Sequence, residues 1–222
     1  MSYLNKNFLE KINRNNISNI LELGSRDGKE TLEINQYFQP DLFFVFEANP
    51  YSFKIAENNV SSYGNIKIIQ KAVGAQDGII NFYPFPENEI GPCSVFLNAP
   101  NCKTWGEARK HAIQGSKQDP DNPVKVECIR LDNFLNKHKV EKIDLICADI
   151  QGSEMNAFIG LGDFLKNVKY IICEIPVDES VYLGAPSRDE LLFFLKENGF
   201  YLSYSFPEND IEENGLFINE AI

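Results

Sequence analysis

Basic charge is scarce in this chain, apolar runs are short, and the cysteines never stand as a C-x-x-C pair. Each shortage removes a class of function. The 21 Lys and Arg face 32 Asp and Glu, a formal charge of -11. Proteins that grip nucleic acid do so largely through phosphates and need a basic stripe, so no nucleic-acid partner is expected. An anionic membrane surface is disfavoured for the same reason. No apolar run approaches the roughly 20 residues that span a bilayer. The opening stretch "MSYLNKNFLEKINRNN" lacks the apolar centre of a signal peptide. The expectation is a cytoplasmic protein with no membrane partner. Of the 5 cysteines, Cys128, Cys147 and Cys173 lie inside strand-like runs. They read as small buried hydrophobes in a reducing compartment, and a zinc site is not expected.

What is present is the material of one domain. A chain of 222 residues that is 43% hydrophobic can bury a full core. Leu4, Phe8, Leu9 and Ile12 sit at helical spacing, which predicts a docking helix within residues 1–17. From Asn19 onward, strand-like and helix-like runs alternate. "NILELG", "DLFFVFE", "NIKIIQKAV", "KIDLICADI" and "VKYIICEI" read as buried strands. "KETLEINQYF", "NPYSFKIAENN", "SEMNAFIGLGDFL" and "SRDELLFFLKENG" read as helices, with "LDNFLNKHK" a shorter one. Asn49 precedes Pro50 as a cap precedes a first helical turn. Ser187 and Glu190 form a capping box, and Gly199 ends that helix. "GIINFYPF" and "VKVECIRL" are further strands, and "FYLSYSF" with "GLFINEA" looks like an antiparallel pair. Such alternation predicts an α/β fold: a doubly wound, mostly parallel sheet with helices on both faces and a C-terminal antiparallel strand pair. Residues 85–123 break the pattern. They are rich in Pro, Asn and Gly and hold the only tryptophan, Trp105. Loops this long inside a compact domain are commonly functional, so this segment is read as a substrate-side insertion in a single domain spanning residues 1–222.

The stretch "ILELGSRDGKETLEI" carries the first chemical signal. Gly24 and Gly28 lie where the first strand turns into its helix, and ligands of doubly wound sheets bind beyond such strand ends. Glu22 stands two residues before Gly24. The dinucleotide fingerprint G-x-G-x-x-G is absent, because Arg26 and Asp27 occupy its middle, and Asp27 would repel a diphosphate. No G-K-[ST] follows, which excludes a phosphate-cradling loop of that kind. A nucleoside carrying a zwitterionic amino acid fits better. Glu47 closes the second strand, "FVFEANP", where an acidic side chain accepts a ribose hydroxyl pair. The pattern E-x-G-x-x-x-G … E points to S-adenosylmethionine, with a structural turn as the alternative.

A third stretch, "KIDLICADIQGSEMNAFIGL", ends a buried strand in Asp149 and opens a helix with Gly152, Ser153 and Glu154. Together with "ILELGSRDG", "VFEANP", "VECIRLDNFL" and "YIICEI", it resembles the FkbM-type methyltransferases, S-adenosylmethionine-dependent enzymes of the class I Rossmann-like fold. The likeness runs from about Ile20 to Phe217. It implies O-methylation of a hydroxyl on a sugar, glycan or related small molecule. It also implies cofactor contacts from Glu22, Gly24, Ser25, Gly28, Glu47, Ala48, Ala72 and Asp149. Departures exist: the family turn usually reads G-A-N-x-G, where this chain has Gly24-Ser25-Arg26-Asp27-Gly28. After the third strand, where many class I enzymes place an acidic adenine contact, this chain has Lys71-Ala72-Val73. Backbone groups or Asp77 are the expected substitutes.

Methyl transfer to a hydroxyl gains most from positioning, and a base helps the proton leave. Asp149 is the first choice for that base; it is equally suited to orient the hydroxyl, to hold a divalent cation, or simply to cap the next helix. Glu154 is a second candidate, with helix-dipole stabilisation as its plainer role. Glu174, ending "YIICE", is a further crevice acid. His111, in the insertion, has a side chain suited to general-base work, or is a surface histidine; His138 ends a short helix. Trp105 is placed to stack on a sugar or to pack the insertion. Two other classes compete: a nicotinamide-dependent reductase, and a non-catalytic module that binds cofactor or partner. Metal need and self-association are left open.

Overall fold

The computed structural model describes residues 3–84, 94–97, 121–177 and 182–222. Its main sheet has seven strands: β1 (Asn19–Leu23), β2 (Leu42–Phe46), β3 (Ile66–Ile69), β7 (Leu145–Ala148), β8 (Tyr170–Pro176), β9 (Phe200–Pro207) and β10 (Glu212–Asn219), in the order β3-β2-β1-β7-β8-β10-β9. The first five pair in parallel, whereas β10 runs antiparallel between β8 and β9. The expected C-terminal pair is therefore present, and it completes the sheet edge instead of standing apart.

The strands are apolar on both faces because both faces are covered, as parallel pairing requires. On one face, Ile20, Phe43, Val45, Leu145, Cys147 and Ile172 pack with residues of α2 (Lys29–Phe38), α3 (Pro50–Val60) and the N-terminal segment. On the other, Leu21, Leu23, Phe44, Phe46, Ile146 and Ala148 meet α4 (Leu131–Lys137), α5 (Glu154–Gly160) and α6 (Arg188–Glu197). The N-terminal helix is shorter than predicted. α1 covers only Lys6–Leu9, with a separate 3-10 turn at Arg14–Asn16, yet Phe8 and Ile12 are buried as the spacing requires. The caps follow the sequence: the Asn49 side chain accepts from Tyr51 N–H, and Ser187 with Glu190 forms the reciprocal box. Cys128, Cys147 and Cys173 are buried free thiols.

Two sequence expectations need correction. "NIKIIQKAV" is not one strand: it leaves the main sheet after Ile69 and resumes as β4 (Ala72–Val73). β4 joins β5 (Gly78–Phe82) and β6 (Val124–Ile129) in a second, three-stranded sheet of order β4-β6-β5. That sheet has its own small apolar cluster of Ala72, Phe82, Val126 and Cys128. The alternation rule sees each of these runs as a strand but not which sheet it joins.

Candidate active site

The carboxyl ends of β1, β2 and β7 meet at one cleft. Their ladder continues past each strand: Gly24 N–H donates to Phe46 O (2.8 Å), Glu47 N–H to Ile69 O (3.1 Å), and Asp149 N–H to Leu23 O (2.9 Å). The backbone of all three residues is thereby fixed by the sheet. The cleft encloses about 920 Å³, open solvent included. Gly24, Ser25, Glu47, Ala48, Ala72 and Asp149 all line it.

Gly24 needs to be glycine. Its φ is +85°, and a Cβ there would fall 2.0 Å from the Asp149 carbonyl oxygen. The loop after β1 thus lies directly against the end of β7. Gly28 has a different reason. Its φ is +76°, and a Cβ would press on Ala56 Cα at 3.2 Å. It caps α2 and sets the packing of α2 on α3 rather than lining the cleft. Glu22 is also absent from the cleft wall. It is fully buried beneath the loop, where it accepts the Thr31 hydroxyl at 2.5 Å. Burial, above all, pushes its carboxyl up to about 8, and its Oε1 has no hydrogen-bond partner among the described residues.

Glu47 is buried and already engaged. Its Oε2 accepts the N–H groups of Ser25 (3.2 Å) and Arg26 (2.7 Å), and its Oε1 accepts Asn49 N–H (2.8 Å). Burial raises its carboxyl to about 7, against the pull of these three amides. A carboxylate oxygen has two acceptor directions, so Oε1 keeps one for a ligand hydroxyl. The bidentate arrangement read from the sequence would require the loop amides to yield.

Asp77 does not reach the cleft. Its carboxylate accepts from Arg130 N–H (2.7 Å) and Asn133 Nδ2 (2.6 Å), fixing the start of α4. The wall beyond Ala72 is instead apolar: Phe46, Val73, Phe82 and Val95. Phe82 and Val95 were missed in the sequence. Phe82 ends a strand whose sheet could not be foreseen, and Val95 lies in the insertion. The segment expected to serve the acceptor thus also contributes to this wall.

The acids after β7 and β8 divide between two cavities. Asp149 and Gln151 line the cleft; Glu154, Glu174, Glu212 and Tyr182 line a smaller adjoining one. Glu154, in the first turn of α5, accepts the Ile150 N–H at 2.8 Å. Burial raises its carboxyl to about 8, and burial likewise raises Glu174, with Asp149, Glu212 and Glu154 adding to it. Gln151, unremarked in the sequence, donates from Nε2 to Asp149 Oδ1 (2.5 Å) and Glu174 Oε2 (3.0 Å). His138 caps α4 and stacks on Phe134, with ring centroids 4.3 Å apart. His111 and Trp105 lie outside the described residues. Among the described residues no group of three or more His, Cys, Asp or Glu is placed to hold a metal ion, so the divalent cation allowed by the sequence finds no support there. No described helix is long and apolar enough to cross a membrane.

A model of the methyltransferase FkbM domain matches residues 9–202. The chain belongs to the FkbM methyltransferase family. It is an S-adenosylmethionine-dependent methyltransferase, and the nicotinamide-reductase and non-catalytic readings fall with that assignment. This FkbM methyltransferase is 25% identical over 215 residues to the 2-O-methyltransferase NoeI of Sinorhizobium fredii, covering 91% of this chain and 80% of that one. It is 23% identical over 133 residues to the hexuronic acid methyltransferase AglP of Haloferax volcanii, covering 60% of this chain and 46% of that one. Among solved structures, magnesium protoporphyrin IX methyltransferase from Synechocystis with bound SAM superposes with a TM-score of 0.50 at 10% identity, over 96% of this chain and 74% of the other. Fibrillarin from Methanococcus jannaschii gives 0.51 at 14%, over 92% and 67%. At such identities these two share the class I fold and nothing finer.

Proposed function

We propose that this FkbM methyltransferase methylates a hydroxyl of a sugar, glycan or related small molecule, with Asp149 as the base. The names of NoeI and AglP favour a sugar acceptor. The observation that supports the residue assignment is that Asp149 and Glu47 line one cleft at neighbouring strand ends, with the Gly24 loop lying against the Asp149 backbone.

The residues suit S-adenosylmethionine. Ser25 Oγ is buried without a hydrogen-bond partner among the described residues, Gly24 leaves open backbone, and Glu47 Oε1 keeps one acceptor direction for a ribose hydroxyl. Phe46, Ala72, Phe82 and Val95 offer an apolar slot for a purine. Glu22, from below, supports the loop through Thr31. When bound, S-adenosylmethionine supplies a methyl group on a sulfonium, with a thioether as leaving group. Asp149 takes the acceptor's hydroxyl proton as the oxygen–methyl bond forms. Its charge also orients that hydroxyl, and positioning supplies most of the rate. The adjoining cavity, with Glu174, Glu212 and Tyr182, offers hydroxyl-binding groups for the remainder of a sugar. Residues 85–123 complete the acceptor side within one domain spanning 1–222.

Asp149→Asn keeps shape and removes charge. Labelled methyl transfer to a panel of neutral methyl glycosides should fall by roughly 10²-fold or more in turnover, while S-adenosylhomocysteine affinity and melting temperature stay near wild type. Near-normal turnover would remove Asp149 as base.

A further inference from the structure

We propose that Gln151 is a positioning residue for methyl transfer, its carboxamide holding the Asp149 carboxylate toward the cleft and apart from the acids packed around it. The proposal rests on Asp149 being the base. Three observations carry it.

The first is crowding. Asp149 lies within electrostatic reach of Glu22 on β1, Glu30 on α2, Glu47 on β2, Glu154 on α5, Glu174 on β8 and Glu212 on β10. The Tyr3 and Tyr182 phenols feel its charge as well. Among the described residues Asp149 makes no ion pair, and Gln151 Nε2, at 2.5 Å, is the one side-chain donor to it.

The second is the saturation of the carboxamide. Nε2 spends one N–H on Asp149 and the other on Glu174, and Oε1 accepts the Tyr182 hydroxyl. Turning the amide over would set its oxygen against the Asp149 and Glu174 carboxyl oxygens and lose both N–H donations. The network therefore fixes the amide's orientation, and the amide fixes Asp149.

The third is backbone strain. Gln151 has φ +54°, a left-handed conformation that non-glycine residues avoid and that persists where surrounding structure over-determines it. That conformation returns the side chain of residue 151 to residue 149. Ser94 secures it: its hydroxyl donates to the Gln151 carbonyl at 2.7 Å and accepts Phe96 N–H at 3.0 Å. Glycine would adopt this backbone without penalty, so the side chain is the reason for tolerating it.

Gln151→Gly relieves the backbone strain but takes a hydrogen-bond partner from Asp149, Glu174 and Tyr182, so its melting temperature should fall by a few degrees, and the comparisons are made at a temperature where it is fully folded. Its Asp149 carboxyl carbon, observed by NMR at one fixed pH in 13C-aspartate-labelled protein with S-adenosylhomocysteine bound and assigned through Asp149→Asn, should move from its wild-type position, because the hydrogen bond from Gln151 Nε2 is gone. S-adenosylhomocysteine affinity should change by less than about threefold, while turnover on the methyl glycoside panel falls by roughly 10²-fold, the weight of a misplaced reacting group. Gln151→Asn, which keeps the amide but shortens it, should recover less than half of the lost turnover. An unmoved Asp149 carboxyl resonance in folded Gln151→Gly overturns the proposal. If Asp149→Asn is itself fully active, the base assignment fails, and the positioning role with it. If Asp149→Asn is inactive while Gln151→Gly turns over normally, only the positioning role fails.

Discussion

Glu47 Oε2 accepts the backbone N–H of Arg26 at 2.7 Å and so ties the end of the second strand to the loop after the first. The same carboxylate is the proposed ribose acceptor. One side chain thus shapes the loop and receives the ligand.

Glu47→Ala should therefore weaken S-adenosylhomocysteine binding by more than a lost ribose contact alone. A charge-assisted hydrogen bond contributes about 1.5–3 kcal/mol, and the released loop amides add to that. Calorimetry should register at least tenfold weaker affinity. Unchanged affinity would remove Glu47 from the cofactor site.

Gly24 and Gly28 should separate under the same substitution. Both have positive φ, so alanine costs each more than about 1 kcal/mol of stability. At Gly28 the added methyl presses on Ala56, away from the cleft, and cofactor affinity in the folded fraction should persist. At Gly24 it meets the Asp149 carbonyl, and affinity should fall together with stability. Chemical denaturation beside S-adenosylhomocysteine titration reads both. Equal affinities for the two variants would contradict the assigned roles.

Stability should fall as pH rises through the neutral range. Burial holds Glu22 and Glu154 near 8 and Glu47 near 7, against an ordinary value of 4.5. Between about 4.5 and 8 the folded chain keeps protons that the unfolded chain has lost, so unfolding releases them and is favoured by rising pH. The loss ends above about 8. Glu22→Gln retains an acceptor for Thr31 and removes one of these protons. Its urea-derived stability should fall less steeply with pH, by at most about 1.4 kcal/mol per pH unit for a single group. Parallel curves for wild type and variant would show that Glu22 is ionised in the fold.

The order of elements, the caps and the strand-end acids were legible in the sequence because each is a local signal. Alternating runs announce the parallel sheet; Asn49-Pro50 and Ser187-x-x-Glu190 announce helix starts; Glu47 and Asp149 end apolar runs. What stayed hidden was non-local. Nothing around Ala72 tells that the chain has changed sheets, since a strand's partner is not written in its own residues. Gly28 reads like Gly24 until Ala56 is brought against it. Gln151 sits two residues past Asp149 and looks like a turn residue. Only its left-handed backbone, with Glu174 and Tyr182 delivered by distant segments, gives it a task.

The step from Ile69 to Ala72 that passes the chain between sheets also means that two separately paired frameworks build one cleft. The seven-stranded ladder fixes where Gly24, Glu47 and Asp149 stand, whereas Phe82 and Val95 reach the same cleft from the small sheet and the segment that follows it. Under the proposed roles the purine slot therefore draws on both sheets, while the ribose acceptor and the base stand on the large one alone.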